Sequence, residues 1–224
     1  MEQKKYLAIV ILIGGKSNRS GHEKGEFELD GKPLILHQIE TLSEFDEDVY
    51  LVANSEEQIL KIKKNIKFPK EVEFVVDERD FFPYPGIFTP MIGIYSGFYN
   101  LKNLQFTKAF LLSGDAPLIK SEVIKYMINN SKGFDCTIPR WENGFLETLF
   151  AIYPVVETFK NAKNILKSQK HYALTKLMDE TWNINYISVE RELKKLDPNL
   201  LSLFNINGPI DIEKIKKEYK NRKN

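Results

Sequence analysis

The residues whose types and spacing can do chemistry gather in a few short segments. The first is Leu12-Ile13-Gly14-Gly15-Lys16-Ser17-Asn18-Arg19-Ser20-Gly21-His22-Glu23-Lys24. Glycines let backbone N–H groups come close to phosphate oxygens and adopt positive φ. Lys16, Arg19 and Lys24 put positive charge where a triphosphate would lie, and arginine can clamp a phosphate through two parallel hydrogen bonds. The same composition also suits a turn that merely ends a strand, with its charges in water. It is not a Walker A loop, which would need glycine where Val10 stands, and it is not G-x-G-x-x-G. Asp115 lies between Gly114 and Pro117, just beyond the apolar run Ala109-Phe110-Leu111-Leu112. A carboxylate so placed can hold a metal ion or cap the next turn. Asn54 and Asp77 also end strand-like runs. The amide can donate and accept, and the carboxylate can accept from hydroxyl or N–H donors. Asn205 and Asn207 flank one residue before Pro209, so an extended segment would turn both to one side.

These segments need a frame that brings them together. Strand-like runs are Leu7–Ile13, Val49–Ala53, Glu73–Val76 and Ala109–Leu112; the first reads as a short, β-branched, buried parallel strand bounded by glycines. Helix-like runs follow most of them. Pro33 opens Leu34–Leu42 as a first helical residue. Ser55 is the N-cap for Glu56–Ile66, with Glu57 in the acidic first turn. Ser121 and Glu122 similarly precede Val123, Ile124, Met127 and Ile128. Strands alternating with helices imply βαβ units and a mainly parallel sheet.

After residue 133 the pattern loosens. Asp135–Pro139 and Thr148–Tyr153 read as strands around a turn at Asn143-Gly144. Helices are expected near Val155–Lys167 and Ala173–Asp179, then a strand at Ile184–Ile187. Pro209 opens a last helix with Ile212, Ile215 and Tyr219 on one face. The expected fold is a single three-layer α/β/α domain over residues 1–224, with a mostly parallel twisted sheet. Residues 1–118 would form a nucleotide-binding half and 119–224 an acceptor-side half. In open α/β sheets ligands sit beyond the carboxyl ends of the strands, here residues 14–24, 54–55, 77–80 and 113–117.

Composition narrows the function classes. The 224 residues carry 32 basic and 31 acidic side chains, a net charge of +1. That balance argues against a generic nucleic-acid binder. One cysteine, Cys136, excludes an internal disulfide framework and a cysteine zinc site, and fits a reducing, cytoplasmic compartment. No run reaches about 18 apolar residues, so no membrane helix is expected. Lys4-Lys5 before the first apolar run invites a signal-peptide reading, but no small-x-small cleavage site follows.

The order Gly14-Gly15-x-Ser17-x-Arg19-x-Gly21, then Lys24, then Leu29-Asp30-Gly31-Lys32-Pro33-Leu34, resembles the molybdenum cofactor guanylyltransferase (MobA) family of nucleotidyltransferases. That pattern normally begins Leu-Ala-Gly-Gly and has methionine before its last glycine, where this chain has Ile13 and Ser20. Val52-Ala53-Asn54, Val75-Val76-Asp77 with Thr89-Pro90-Met91-Ile92-Gly93-Ile94, and Leu112-Ser113-Gly114-Asp115-Ala116-Pro117 extend the likeness. So do Glu147-Thr148-Leu149-Phe150-Ala151-Ile152-Tyr153 and Phe204-Asn205-Ile206-Asn207-Gly208-Pro209.

The resemblance implies a Rossmann-like fold and transfer of GMP from Mg·GTP to the phosphate of molybdopterin, releasing pyrophosphate. The nucleophile is then already ionised, so positioning and charge neutralisation do the work and no catalytic triad is needed. His22, His37 and His171 form none. Leu12, Ile13, Gly14, Gly15, Ser17, Arg19, Lys24, Asn54, Asp77 and Asp115 would bind GTP. Arg19, Lys24 and Asp115 would be catalytic, with Asp115 holding Mg²⁺. Glu147, Asn205 and Asn207 would meet the acceptor. GTP and molybdopterin cofactor would be the small-molecule partners, with transient contact to carrier or acceptor proteins. The same fold with CTP, with a sugar or small-alcohol phosphate as acceptor, or as a GTP-binding module without turnover, stays open.

Three features stand outside this pattern. Residues 80–90 carry four aromatics and three prolines, suiting a lid, a docking surface, or aromatics folded onto the chain's own core. Lys214, Lys216, Lys217, Lys220, Arg222 and Lys223 read as solvated cations near a helix C-terminus. Cys136 reads as a buried structural thiol.

Overall fold

Leu7–Leu12 is buried along its whole length, as an uninterrupted apolar run must be when a sheet is covered on both faces. The computed structural model describes residues 5–14, 27–78, 89–168 and 172–223. In chain order its elements are β1 (Leu7–Leu12), the short strands β2 (Glu28–Leu29) and β3 (Lys32–Pro33), α1 (Leu34–Leu42), β4 (Asp48–Ala53), α2 (Glu56–Asn65), β5 (Glu73–Val76), α3 (Pro90–Asn103) and β6 (Lys108–Ser113). They continue with α4 (Ser121–Asn130), β7 (Cys136–Arg140), β8 (Phe150–Pro154), α5 (Val155–Ser168), β9 (Ile184–Ser188), the one-turn α6 (Lys194–Leu196) and α7 (Pro209–Lys223). A seven-stranded sheet runs β5-β4-β1-β6-β8-β7-β9. Among the described strands of this sheet only β8 is antiparallel to its neighbours.

Alternate residues of β1 serve opposite faces of this sheet. Ala8, Val10 and Leu12 join Met91, Ile94 and Phe98 of α3 and Phe159 of α5. Leu7, Ile9 and Ile11 join Ile39 of α1, Ile59 of α2 and Met127 of α4. The result is the expected three-layer α/β/α arrangement. A smaller cluster of Phe27, Leu29, Leu34, Leu118, Leu201, Ile206 and Ile215 ties the β2–β3 hairpin to α7. The hairpin turns at Asp30 and Gly31, both at positive φ, which a tight two-residue β-turn of this hand requires.

Several local expectations are corrected. Pro33 is not the first helical residue: it is extended (ψ 141°), pairs with Glu28 and precedes α1. Ser121 is the first residue of α4 rather than its cap, and the N–H of Lys120 is held instead by Ser202 Oγ at 3.0 Å. Residues 173–179 form only a 3₁₀ turn, Leu174–Leu177, because Leu177 alone of those four is buried and no apolar stripe exists to stabilise a helix. The later strands start at Cys136 and Phe150 rather than Asp135 and Thr148, around a turn where Gly144 has φ +87°. Helix α3 was not anticipated. Met91 through Phe98 are all buried, so it has no polar face to produce a helical period, and Gly93 and Gly97 lower its intrinsic propensity. Thr89 caps it by accepting from the N–H of Met91.

Ser55 caps α2 as expected, accepting from the N–H of Gln58 at 3.2 Å. Cys136 is fully buried, and burial pushes its thiol up to about 12. Among the described residues no helix is long and apolar enough to cross a membrane.

Candidate active site

The strand order reverses at β1, whose neighbours β4 and β6 both run parallel to it. Such a reversal opens a crevice at the carboxyl ends of the strands. Gly14, Asn54, Asp77 and Asp115 all emerge at that end, from β1, β4, β5 and β6. The N–H groups of Ile13 and Gly14 both donate to the carbonyl of Val52, at 2.9 and 3.1 Å. The N–H of Asp77 donates to Ala53 O at 2.9 Å, so β4 anchors the first residues beyond both β1 and β5. Gly14 stands so near Asn54 that a Cβ there would lie 3.1 Å from the Asn54 nitrogen. On the other side, the N–H of Gly114 donates to Leu12 O at 3.0 Å, and a Cβ on Gly114 would come within 2.9 Å of that carbonyl. Real Cβ atoms do not approach a backbone oxygen so closely, so the β1 and β6 loops meet only because residue 114 is glycine.

Asp115 is 2% exposed. Its Oδ1 accepts a 2.5 Å hydrogen bond from Ser113 Oγ. Its backbone carbonyl accepts from the N–H of Ile206 at 2.8 Å, which seats the C-terminal segment on this loop. Ile206 is buried, Asn205 exposed and Asn207 half-buried, the alternation of an extended segment. Asn207 Nδ2 reaches Asn205 O at 3.4 Å, and the N–H of Asn207 is held by Asp211 Oδ2 at 2.9 Å. Both asparagines therefore flank the residue whose N–H meets Asp115. The donor set here, a carboxylate with a hydroxyl beside it, is all hard oxygen. That suits Mg²⁺, which takes one or two protein carboxylates and keeps phosphate or water oxygens for the rest.

Glu147 reaches the same end of the sheet by another route. Leu112 pairs with Phe150 across the antiparallel β6–β8 ladder, so the residues just before Phe150 lie beyond the carboxyl end of β6. Trp141 Nε1 donates to Glu147 Oε1 at 2.6 Å. Burial raises the carboxyl above its ordinary range, and the indole donor opposes this.

The profile of the MobA-like NTP transferase domain matches residues 9–181 of this chain. The chain belongs to that family. It is a nucleotidyltransferase. A protein of Pyrococcus horikoshii named "probable molybdenum cofactor guanylyltransferase" is 33% identical over 214 residues, covering 92% of this chain and 97% of its own. The crystal structure of molybdopterin-guanine dinucleotide biosynthesis protein A from Archaeoglobus fulgidus is 28% identical. It superposes with a TM-score of 0.74 over 96% of this chain and 99% of the other. A 4-diphosphocytidyl-2C-methyl-D-erythritol synthase from Anaerococcus prevotii, 16% identical with a TM-score of 0.66 over 96% and 99% of the two chains, shares the fold.

Within this MobA-like domain, Gly15, Ser17, Arg19 and Lys24 lie outside the described residues. So do Lys16, His22, His171 and residues 80–88 of the aromatic loop. His37 belongs to the scaffold: it is buried and its Nε2 lies 2.9 Å from Leu29 O. Two residues escaped sequence reasoning. Gln58, 5% exposed, accepts from Asn54 N–H at 2.8 Å and donates to Ile13 O at 3.0 Å, joining the β4 and β1 loops. Gln38, fully buried, donates to Ser113 O and Ala116 O, both at 2.7 Å. A signal for them existed. Gln38 falls among Leu34, Ile35, Ile39 and Leu42, and Gln58 beside Ile59 and Ile62, each on the apolar stripe of its helix. A polar side chain in such a stripe must find a hydrogen-bond partner.

Proposed function

We propose that this nucleotidyltransferase transfers GMP from magnesium-bound GTP to the phosphate of molybdopterin, releasing pyrophosphate and forming the guanine dinucleotide cofactor. The observation that carries this reading is the gathering of Asn54, Asp77 and Asp115 at one crevice, in a chain that matches the named guanylyltransferases over almost its whole length. Residues 1–118 hold the nucleotide and 119–224 the acceptor. Asn54 and Asp77 bind the guanosine moiety through amide and carboxylate hydrogen bonds. Leu12, Ile13 and Gly14 act by placing the loop, since the N–H groups of Ile13 and Gly14 are engaged with Val52. Gly15 and Ser17, with the cations Arg19 and Lys24, meet the phosphates.

Asp115 holds the Mg²⁺. When bound, the ion neutralises charge on the α-phosphate and on the departing pyrophosphate. The acceptor phosphate is ionised at neutral pH, so the protein orients it rather than deprotonates it. Asn205, Asn207 and Glu147 line its approach. The cofactor's carrier or acceptor proteins meet the enzyme transiently, and the cytoplasm is the compartment. A panel of GTP, CTP, UTP and ATP crossed with molybdopterin and with sugar phosphates, followed by pyrophosphate release, tests this. GTP with molybdopterin should exceed every other pair at least about tenfold, as one good polar pair to a base discriminates by about 1–3 kcal/mol in nucleic-acid recognition. Equal rates with GTP and CTP overturn the guanylyl assignment.

A further inference from the structure

Gln38 sits on α1, opposite the loop that follows β6, and is fully buried among Ile35, Ile39 and Leu42. Its single amide nitrogen spans that loop. One hydrogen bond goes to the carbonyl of Ser113 and the other to the carbonyl of Ala116, both at 2.7 Å, so the two acceptors bracket Gly114 and Asp115. Both partners are carbonyl oxygens and can only accept. The chemistry therefore settles which way the amide points. Among the described residues no donor reaches its Oε1, so the side chain is held here by its two N–H bonds alone.

The loop is gripped from two further sides. Gly114 N–H donates to Leu12 O, and Asp115 O accepts from Ile206 N–H. Gln38 is the one side chain among these clamps; the other hydrogen-bonding side chains of α1, His37, Glu40 and Thr41, reach Leu29, Lys32 and Ile119 instead. We propose that Gln38 is a positioning residue for the transfer reaction: by fixing the carbonyls on either side of Gly114-Asp115 it holds the Asp115 carboxylate at the angle from which it binds the metal. This inference rests on the reading of Asp115 as the metal-holding residue. Glutamine suits the task because its NH₂ group offers two donors from one atom at the end of a chain long enough to reach from the helix. Methionine fills similar space with no donor. Ionised glutamate has none either and would face two carbonyl oxygens.

The test is Gln38→Met in the full chain, with three measurements: amide hydrogen exchange of residues 113–117, equilibrium binding of Mn²⁺ in place of Mg²⁺ with GTP present, and the magnesium dependence of pyrophosphate release. Exchange over 113–117 should rise at least tenfold while exchange in β1 stays unchanged. Mn²⁺ affinity and magnesium half-saturation should each worsen fivefold or more, with the KM for GTP within twofold of wild type. A residue that merely fills the core would lower the melting temperature without moving the metal dependence. Wild-type exchange over 113–117, or unchanged metal binding in a folded variant, overturns the proposal. Should Gln38→Met fail to fold, Gln38→Leu, which likewise has no donor and suits the apolar surroundings, is measured in the same way. Asp115→Asn separates the two claims. Wild-type Mn²⁺ binding in that variant removes the metal reading, while the exchange data still decide whether Gln38 holds the loop.

Discussion

The N–H of Ile206 donates a 2.8 Å hydrogen bond to the backbone carbonyl of Asp115. Ile206 is itself fully buried, in the cluster that also holds Leu118 and Ile215. The last segment before α7 is thereby fixed to the loop that carries the carboxylate proposed to hold the metal. On the proposed function the nucleotide side and the acceptor side meet at this contact, so disturbing it should affect both stability and turnover.

Ile206→Pro removes that N–H and leaves a buried carbonyl without its partner, a loss of about 1–3 kcal/mol. Ile206→Val keeps the N–H and removes one methyl group, costing about 0.5–1.5 kcal/mol. In a domain of this size each kcal/mol lowers the melting temperature by about 2–4 °C. The proline variant should also lose pyrophosphate release with molybdopterin, whereas the valine variant should retain most of it. Thermal melts with paired rate measurements decide this, and equal turnover in both variants would sink it.

Asp115→Asn should keep the Ser113 Oγ–H donor satisfied through the amide oxygen, so the fold should survive. Loss of the metal-binding charge should reduce turnover by roughly 10²–10³, the scale of removing one electrostatic stabiliser of a transition state. Pyrophosphate release across a magnesium titration, beside a melting curve, gives the answer. Near-normal turnover in a folded variant would make Asp115 a structural residue.

Gly114→Ala puts a methyl group 2.9 Å from Leu12 O and close to Ile13, both on the neighbouring loop. The backbone must move, and overpacking of this kind costs about 1–3 kcal/mol. The two segments that separate are those proposed to place the nucleotide and the metal, so kcat should drop even well below the melting temperature. Gly133→Ala is the comparison: it has open space but φ +81°, so it should lower stability without touching kcat.

Glu147 provides a pH signature. Burial raises its pKa above the ordinary glutamate range. Between the ordinary and the raised value, the folded protein keeps a proton that the unfolded chain has lost. Its contribution to stability therefore falls as pH rises through that window. Glu147→Gln keeps an oxygen for Trp141 Nε1–H and removes the titration. The melting temperature of wild type relative to this variant should decline as pH is raised from about 4 toward neutrality and then level off. A flat difference across that range would show that burial does not perturb this carboxyl.

Much of the frame was legible in the chain itself. The apolar, β-branched run Leu7–Ile13 read as a buried parallel strand, and its residues Leu7–Leu12 lie inside the sheet between β4 and β6. Ser55 announced the start of α2. These readings succeed because they rest on features within a few residues: a short, β-branched apolar run and a hydroxyl meeting an N–H three positions on. The positions of Asn54, Asp77 and Asp115 at strand ends followed from the same local logic.

What tertiary structure alone decided is which distant groups meet. No local pattern could show that α3 would be buried from Met91 through Phe98, because a helix apolar all round has no period to read. The antiparallel entry of β8 brings Glu147 to the carboxyl end of β6, and that depends on strand order rather than on any strand's composition. Gln38 and Gln58 stand out in sequence only as polar residues on apolar stripes. Their partners, Ser113 and Ala116 for one and Ile13 and Asn54 for the other, lie across the core on separate strands. A sequence records that a buried amide must be satisfied; only the packing of helix against sheet selects the atoms that satisfy it.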